Sequence, residues 1–519
     1  MSQPTRDNTT AASGPSSTHG RRASNSKCES ALRTISTAEL VRRALTHNET
    51  AVDVVLRNSA QQRRNALAKS WNVKGLKGQS KLGVKRAIEN VVRKNKTYNP
   101  QRSELTSADL VLLLREMRTS VVLDGLYPER TKPNFWQRLR NRNPQSVGTE
   151  IDLEDFSFLK NPRATLTALR QIAEAEARCL GARINFKDEY CLDVAPFMVL
   201  VECWKEMIPV FEGGEMNVPM QKVLAAIGIQ YALGVGFKGL SDFKDVWAFP
   251  LSRRRRAGGT DSRSPFVDVP TRDYATDRFV GAIDEWLGRP EIELELTESG
   301  REKLMNLLGE VLENAERHSD GYRRDGSWSV SGFLAKRSEV DGGPTYKASI
   351  GIVSIGDTFS ESLSRAHPNQ KSEIAAYIAA MRRAGARQSD DTLRTLAALQ
   401  DGVTCVEEAD AANRGGFGIM DILDFVTELG QTNDQRHTPQ VTIISGSSCI
   451  QLKGPYNKGM ISGDAKPPPR VQWFNSQNSA SIPPDPEYVF DLDAKMPGTA
   501  ISIGFSLDPD VLRRVFDGS

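Results

Sequence analysis

The sequence predicts a multidomain protein of mixed α/β and α+β class, and three observations lead there. A chain of 519 residues exceeds what one hydrophobic core organises, so two or three domains are expected. Helix and strand patterns alternate between about 148 and 250, which predicts a small α/β layer. From about 271 to 519, alternating β-branched segments are interrupted by amphipathic helices, which predicts a helical layer on a mixed sheet.

The composition sets outer limits. Hydrophobic residues at 39% and charged residues at 26% describe an ordinary globular protein. No apolar run approaches the roughly 18 to 20 residues that span a bilayer, and the N-terminus lacks the apolar stretch of a signal peptide. A cytoplasmic protein without membrane contact is expected. Cys28, Cys179, Cys191, Cys203, Cys405 and Cys449 show no CxxC spacing and no nearby histidine to complete a zinc pattern. They read as reduced thiols, mostly in cores.

Taken in order, residues 1–30 are rich in Ser, Thr and Gly and read as a disordered tail. Residues 31–145 read as a basic, mainly helical module, with TAELVRRALTH and SADLVLLLREMRTSVVLDGL as helices capped by Thr37 and Ser107. Between residues 63 and 102 this module is strongly basic, with Glu89 the lone acid, a footprint for nucleic acid or another polyanion or else a solvated linker. RTKPNFWQRLRNRNPQ, rich in Pro, Asn and Arg, reads as a boundary.

In 148–250, PRATLTALRQIAEAEARCLG is a helix ending at Gly181, ARINFKDEY a strand, and APFMVLVECWKEMIPVF an apolar helix opened by Ala195 and Pro196. Residues 251–270, with LSRRRRAGGTDSRSP, read as an exposed linker. In 271–519, EIELELT is a strand candidate, followed by a helix from Ser299 to His318 and the strands WSVSGFLAKR and YKASIGIVS. Residues 360–413 carry polar and helical patterns. NRGGFGIMDILDFVTELG gives a glycine turn and an amphipathic helix, and VTIISG, SCIQLKG and TAISIGFSL complete the strand set.

In GEVLENAERHSD, residues 309–320, Glu310, Asn314 and His318 recur at four-residue spacing and share a helix face. Glu310 with Asn314 resembles the N-box of the GHKL ATP-binding superfamily, that of gyrase B, MutL, the large heat-shock chaperones and the sensor histidine kinases. The resemblance implies a Bergerat-type α/β sandwich that binds ATP with Mg²⁺. Asn314 would give a neutral oxygen to the metal, and Glu310 would orient or deprotonate the attacking water. His318 has either a role near the phosphates or that of a cation at the helix end.

SIGIVSIGDTF, residues 349–359, resembles the first glycine box of the family, where an Asp meets the adenine amino group. Gly356 matches the glycine, but Ser354 stands where the Asp belongs, and Asp357 substitutes only if the turn is remodelled. GGFGIMDIL resembles the second glycine box, with Gly416 and Gly418 opening a helix toward the triphosphate and Arg414 adding charge. PGTAISIGFSL resembles the last box and brings Thr499 near the adenine. Residues 360–413 take the place of the ATP lid.

The order of strand, turn and apolar helix in 148–250 resembles a STAS-like signalling domain. Its turn reads Cys191, Leu192, Asp193, without the Ser or Thr that such domains phosphorylate. A sensor histidine kinase would also carry, on a pair of dimerisation helices, a phosphoacceptor His followed by an acid and then a Pro. His47, the one upstream candidate in a helical pattern, lacks the Pro and a second helix. The combined expectation is an ATP-binding regulatory protein, a nucleotide-dependent switch with slow ATPase or protein kinase activity and a protein partner, as a monomer or homodimer. The alternative is a non-enzymatic protein with a degenerate GHKL fold that binds nucleic acid or protein.

Overall fold

A computed structural model describes residues 115–116, 120–142, 149–179, 181–207, 210–233, 237, 240, 243–254, 267–268, 271–289, 292, 294–318, 327–338, 344–400, 403, 418–430, 438–457, 460–461, 470–508 and 511. The tail, the TAELVRRALTH helix, His47 and the basic run 63–102 lie outside the described residues.

The helix expected to run unbroken to Leu126 starts afresh at Ser120. That residue is extended (φ −136°, ψ 112°), and its hydroxyl accepts from Leu123 N to cap α1 (Val121–Leu126). The segment read as a boundary is folded through Arg142: α2 (Phe135–Arg142) buries Phe135, Trp136 and Leu139 in the same core as the following layer. Arg130 lies at 5.5 Å from the Trp136 ring and pairs with buried Glu176 at 2.9 Å. Pro, Asn and Arg suggested solvent, but the aromatic residues and a buried ion pair decided otherwise.

The small layer follows as β1 (Thr149–Leu153), α3 (Pro162–Arg178), β2 (Ala182–Phe186), α4 (Ala195–Met207), β3 (Phe211–Gly213), α5 (Val218–Ala226) and α6 (Ile229–Leu233). Its three strands are parallel in the order β1-β2-β3. Asn161 caps α3 through Ala164 N, with Pro162 in the first turn where no amide is needed. The helix ends at Arg178, before Gly181, because Cys179 is already extended.

The large sheet has eight strands in the order β12-β9-β8-β13-β7-β6-β4-β5. They are β4 (Val246–Arg254), β5 (Val267–Asp268), β6 (Ser327–Ser338), β7 (Pro344–Ile355), β8 (Gln440–Ser445), β9 (Ser448–Leu452), β12 (Val489–Asp491) and β13 (Gly498–Leu507). A separate hairpin pairs β10 (Met460–Ile461) with β11 (Arg470–Val471). The domain boundary expected at 250 therefore falls inside β4, and the described ends of the expected linker are strands of this sheet. β4 pairs with β6 from Val246↔Ala335 to Arg254↔Trp328, so even its arginines follow the ladder.

Both faces of the sheet are covered. On one lie α7 (Arg272–Leu287), α8 (Glu298–His318), α11 (Asp390–Ala398) and α12 (Gly418–Leu429). The described residues of EIELELT, 292 and 294–297, form no strand: Leu294 N bonds Leu287 O and Leu296 N bonds Asp284 Oδ1, so these amides close the α7–α8 turn. Between β7 and β8 also come α9 (Phe359–Leu363) and α10 (Pro368–Arg383). The described part of the expected lid, through residue 400, is packed structure. Thr392 Oγ1 bonds Asp491 at 2.6 Å and Ser448 at 3.0 Å, and Gln388 Nε2 reaches the carbonyls of Pro484 and Val489.

The opposite face carries α4. Ser329, Ser331, Ser349 and Ser502, which by alternation belong to a wet face, are buried beneath it. A Cβ on Gly351 would stand 2.8 Å from Met198 Sδ and 2.9 Å from Val194 Cγ1, so only glycine lets the helix settle here. Asp193 fastens the contact: its carboxylate accepts from Phe158 N (2.8 Å), Ala195 N (3.0 Å) and Ser502 Oγ (3.0 Å).

Burial pushes Asp193 up to a pKa of about 6 from 3.8, against the hydrogen bonds from Ala195, Ser502, Phe158 and Leu159, which lower it. The folded protein thus holds this proton more tightly than the unfolded chain does. Stability from this group is full below about pH 4 and is lost as the pH rises through about 6. Urea denaturation should show that decline in the wild type relative to Asp193→Asn. Asp193→Ala leaves several buried donors without an acceptor, each worth about 1–3 kcal/mol, and should lower stability by about 3 kcal/mol or more.

Candidate functional site

The candidate site lies on the α8 and α12 side of the sheet, where β7 ends and β13 begins. Thr499 pairs with Ser354 on one side and with Ser445 on the other. All three share the parity of Ile352, Ile501 and Ile443, so their hydroxyls replace the isoleucine stripe at the end of that face. Ser445 Oγ and Thr499 Oγ1 are 2.8 Å apart, and Ser445 accepts from Phe359 N at 2.9 Å.

The turn beyond Ser354 is tightly specified. Gly356 has φ 142° and donates to Pro497 O at 3.2 Å. Facing it, Gly498 has φ 134°, and a side chain there would run into Ser354 O. Asp357 turns to Arg365, 2.6 Å away, so its carboxylate does not take the place of the one missing at Ser354. Thr358 then caps α9 with a reciprocal bond to Glu361. Burial raises the Glu361 pKa, but the Lys495 ammonium and the Thr358 N–H outweigh it and hold the carboxyl below its usual range.

α8 packs between α7 and α12. Its core stripe is Leu304, Leu308, Val311 and Leu312. Arg272 of α7 pairs with Glu313 at 3.0 Å and lies 3.8 Å from Glu316, which fixes that flank toward α7. At about 100° per residue, Glu310 and Asn314 fall on the other flank, toward α12, and both are exposed. Glu316 accepts from Trp328 Nε1 at 2.9 Å and pairs with Arg254. Trp328 is the register partner of Ser354, so the end of α8 that carries Asn314 lies over the hydroxyl end of the sheet.

α12 completes the arrangement. Gly430, just beyond its C-terminus, packs against Phe505 near the far end of β13. The helix is about 18 Å long, close to the roughly 20 Å between Phe505 and Thr499 along the strand. Its N-terminus at Gly418 is thereby directed toward Thr499. Arg414 and Gly416 lie outside the described residues, and of His318 only its place as the last residue of α8 is described.

Of the residues read from sequence, Ser354, Gly356 and Thr499 form one cluster, with Gly418 and the Glu310–Asn314 flank directed toward it. Asp357 is on its margin. Sequence reasoning missed Ser445 and Glu316. Ser445 had a legible signal, a hydroxyl that breaks the Val441, Ile443 alternation just before a glycine. Glu316 had none, since its partners Arg254, Arg272 and Trp328 come from three other elements.

Against protein-family models, curated proteins and solved structures, the chain finds no match.

Gly498→Ala forces a side chain into a left-handed backbone beside Ser354 O and should cost about 2 kcal/mol or more in chemical denaturation. Gly281→Ala, on α7 with open space around it, should cost nothing.

Proposed function

We propose that residues 271–519, together with β4 and β5, form a GHKL-type ATP-binding module, carried with a STAS-like layer in a regulatory protein. The observation that supports this reading most is convergence. The Ser354, Thr499 and Ser445 hydroxyls come from distant stretches of sequence to one end of one sheet face, and the Glu310–Asn314 flank and the α12 N-terminus are directed toward that end. A helical layer on a largely antiparallel sheet is the architecture the resemblance implies.

The groups present fit the ligand in a particular way. Among the described residues no group of three or more His, Cys, Asp and Glu gathers to hold a metal. The donor set suits a cation that arrives with a nucleotide and keeps phosphate and water ligands, to which Asn314 adds one neutral oxygen. Mg²⁺ in that setting supplies charge neutralisation at the phosphates. Backbone amides at the start of α12 are suited to phosphate oxygens. The exposed Glu310 can orient a water or accept its proton.

At the base, hydroxyls replace a carboxylate. Each hydroxyl donates as well as accepts, so Ser354 and Thr499 can satisfy either an amino or a carbonyl edge. Weak discrimination between ATP and GTP follows. In the small layer, the turn that phosphorylation switches in STAS-like domains is instead locked. Asp193 is fully buried, and burial pushes the Cys191 thiol up to about 12, which leaves it unreactive. A switch in this protein would work through the nucleotide and a protein partner.

Thermal denaturation decides the matter. Saturating Mg-ATP should raise the wild-type Tm by about 3 °C or more. Asn314→Ala should abolish the rise. Glu310→Gln should keep it while slowing any phosphate release about a hundredfold. No Mg-ATP shift in the wild type, or one that Asn314→Ala retains, defeats the proposal. Salt-dependent nucleic-acid retention lost on removing residues 63–102 would then favour the non-enzymatic alternative.

A further inference from the structure

We infer, on the nucleotide reading of the site at Ser354 and Thr499, that α1 is its control element: through Gly125 it backs the Pro497–Gly498 turn, and its position sets how tightly the base is held. α1 precedes the small layer in the chain and lies far from this turn in sequence. It reaches the turn only in the folded protein.

The contact is one of helix backbone against a ring. A Cβ on Gly125 would run into Pro497 Cβ and stand 3.3 Å from Pro497 Cα, so the helix meets the turn at a place where it has no side chain. Neither partner has slack. The Pro497 ring fixes its own φ, and Leu123 and Leu126, on either side of Gly125, are buried in the same core as Met496. A close-packed interior of this kind passes a displacement on rather than absorbing it.

The turn in its place holds the base end of the site. Pro497 O accepts from Gly356 N at 3.2 Å, Gly498 O from Gly446 N at 3.1 Å, and Gly446 O from Met496 N at 2.9 Å. Gly356, Gly446 and Gly498 all have positive φ, so three glycine turns from separate stretches of chain interlock here. Each adjoins one of the hydroxyls: Gly356 follows Ser354 by two residues, Gly446 follows Ser445, and Gly498 precedes Thr499. A shift at Pro497 therefore re-aims the groups that would meet the base. Asn314, on α8, is outside this chain of bonds.

On its other side α1 is tied to the small layer by charge. Asp124 pairs with Arg130 at 3.0 Å, and Arg130 pairs with buried Glu176 of α3 at 2.9 Å. Burial makes the second pair costly to break. Whatever moves α3 is thus carried to α1 and on to the turn. A partner that displaces the small layer would change the affinity for the base without touching the nucleotide.

Hydrogen exchange and calorimetry on the whole protein test this. Gly125→Ala should speed exchange of the Gly356 amide about tenfold or more and weaken Mg-ATP about tenfold. Binding of Mg-tripolyphosphate, which has no base, should be unchanged. Val121→Ala, at the exposed start of the same helix, should alter none of these. Should Gly125→Ala fail to fold, Asp124→Asn decides, since it loosens α1 from Arg130 without changing the side chain's shape; the same directions are expected, at about threefold. Unchanged exchange at Gly356 in the deciding variant, or equal losses of Mg-ATP and Mg-tripolyphosphate, would overturn the inference. A wild type that binds no Mg-ATP defeats the nucleotide reading and with it the control of base affinity, whereas exchange at Gly356 by itself decides whether α1 holds the turn.

Discussion

The Asp193 carboxylate is the point on which the two layers depend. It accepts from Phe158 and Leu159 in the loop before α3, from Ala195 at the start of α4, and from Ser502 in the middle of β13. Three segments far apart in the chain are ordered about one buried group. Buried amides must find acceptors, and in this loop a side chain supplies what a strand neighbour would elsewhere. With α4 so fastened, Val194 N reaches Ser349 Oγ, Glu202 takes the Ser329 hydroxyl, and Gly351 yields the space for the helix.

That anchoring makes the central sheet a two-sided element with different chemistry on each face. Under α8 and α12 the stripe is isoleucine-rich and turns to hydroxyls at the end where Thr499 and Ser445 meet. Under α4 it is serine-rich and turns to cations at the opposite end, around Lys347 and Arg337. β7 and β13 run the full distance and contribute to both.

Much of this was legible in the sequence where a period is long and its face is one-sided. The bounds of α8, β6, β7, β8 and β13 lie within two residues or so of the expected segments, because each carries enough turns or alternations to define its phase. Local composition misled elsewhere. Pro, Asn and Arg around residue 135 suggested a linker, yet Phe135 and Trp136 are core. EIELELT alternates like a strand, but the amides of Leu294 and Leu296 are spent on α7. The 360–413 stretch lacks strands and suggested a lid, yet its described helices bury Leu393, Leu396 and Leu399 against the body.

By itself the sequence determined the mixed α/β class, the phase of the long helices and strands, and the Glu310–Asn314 spacing. It also determined that Ser354 has no carboxylate to offer. Tertiary structure decided that β4 belongs to the large sheet and that the serine face of that sheet is covered rather than wet. It also brought Ser445 to Thr499 and turned Asp357 toward Arg365. The reason is that periodicity reports which residues share a face, whereas what covers the face depends on contacts between residues as distant as Asp193 and Ser502, which leave no local trace.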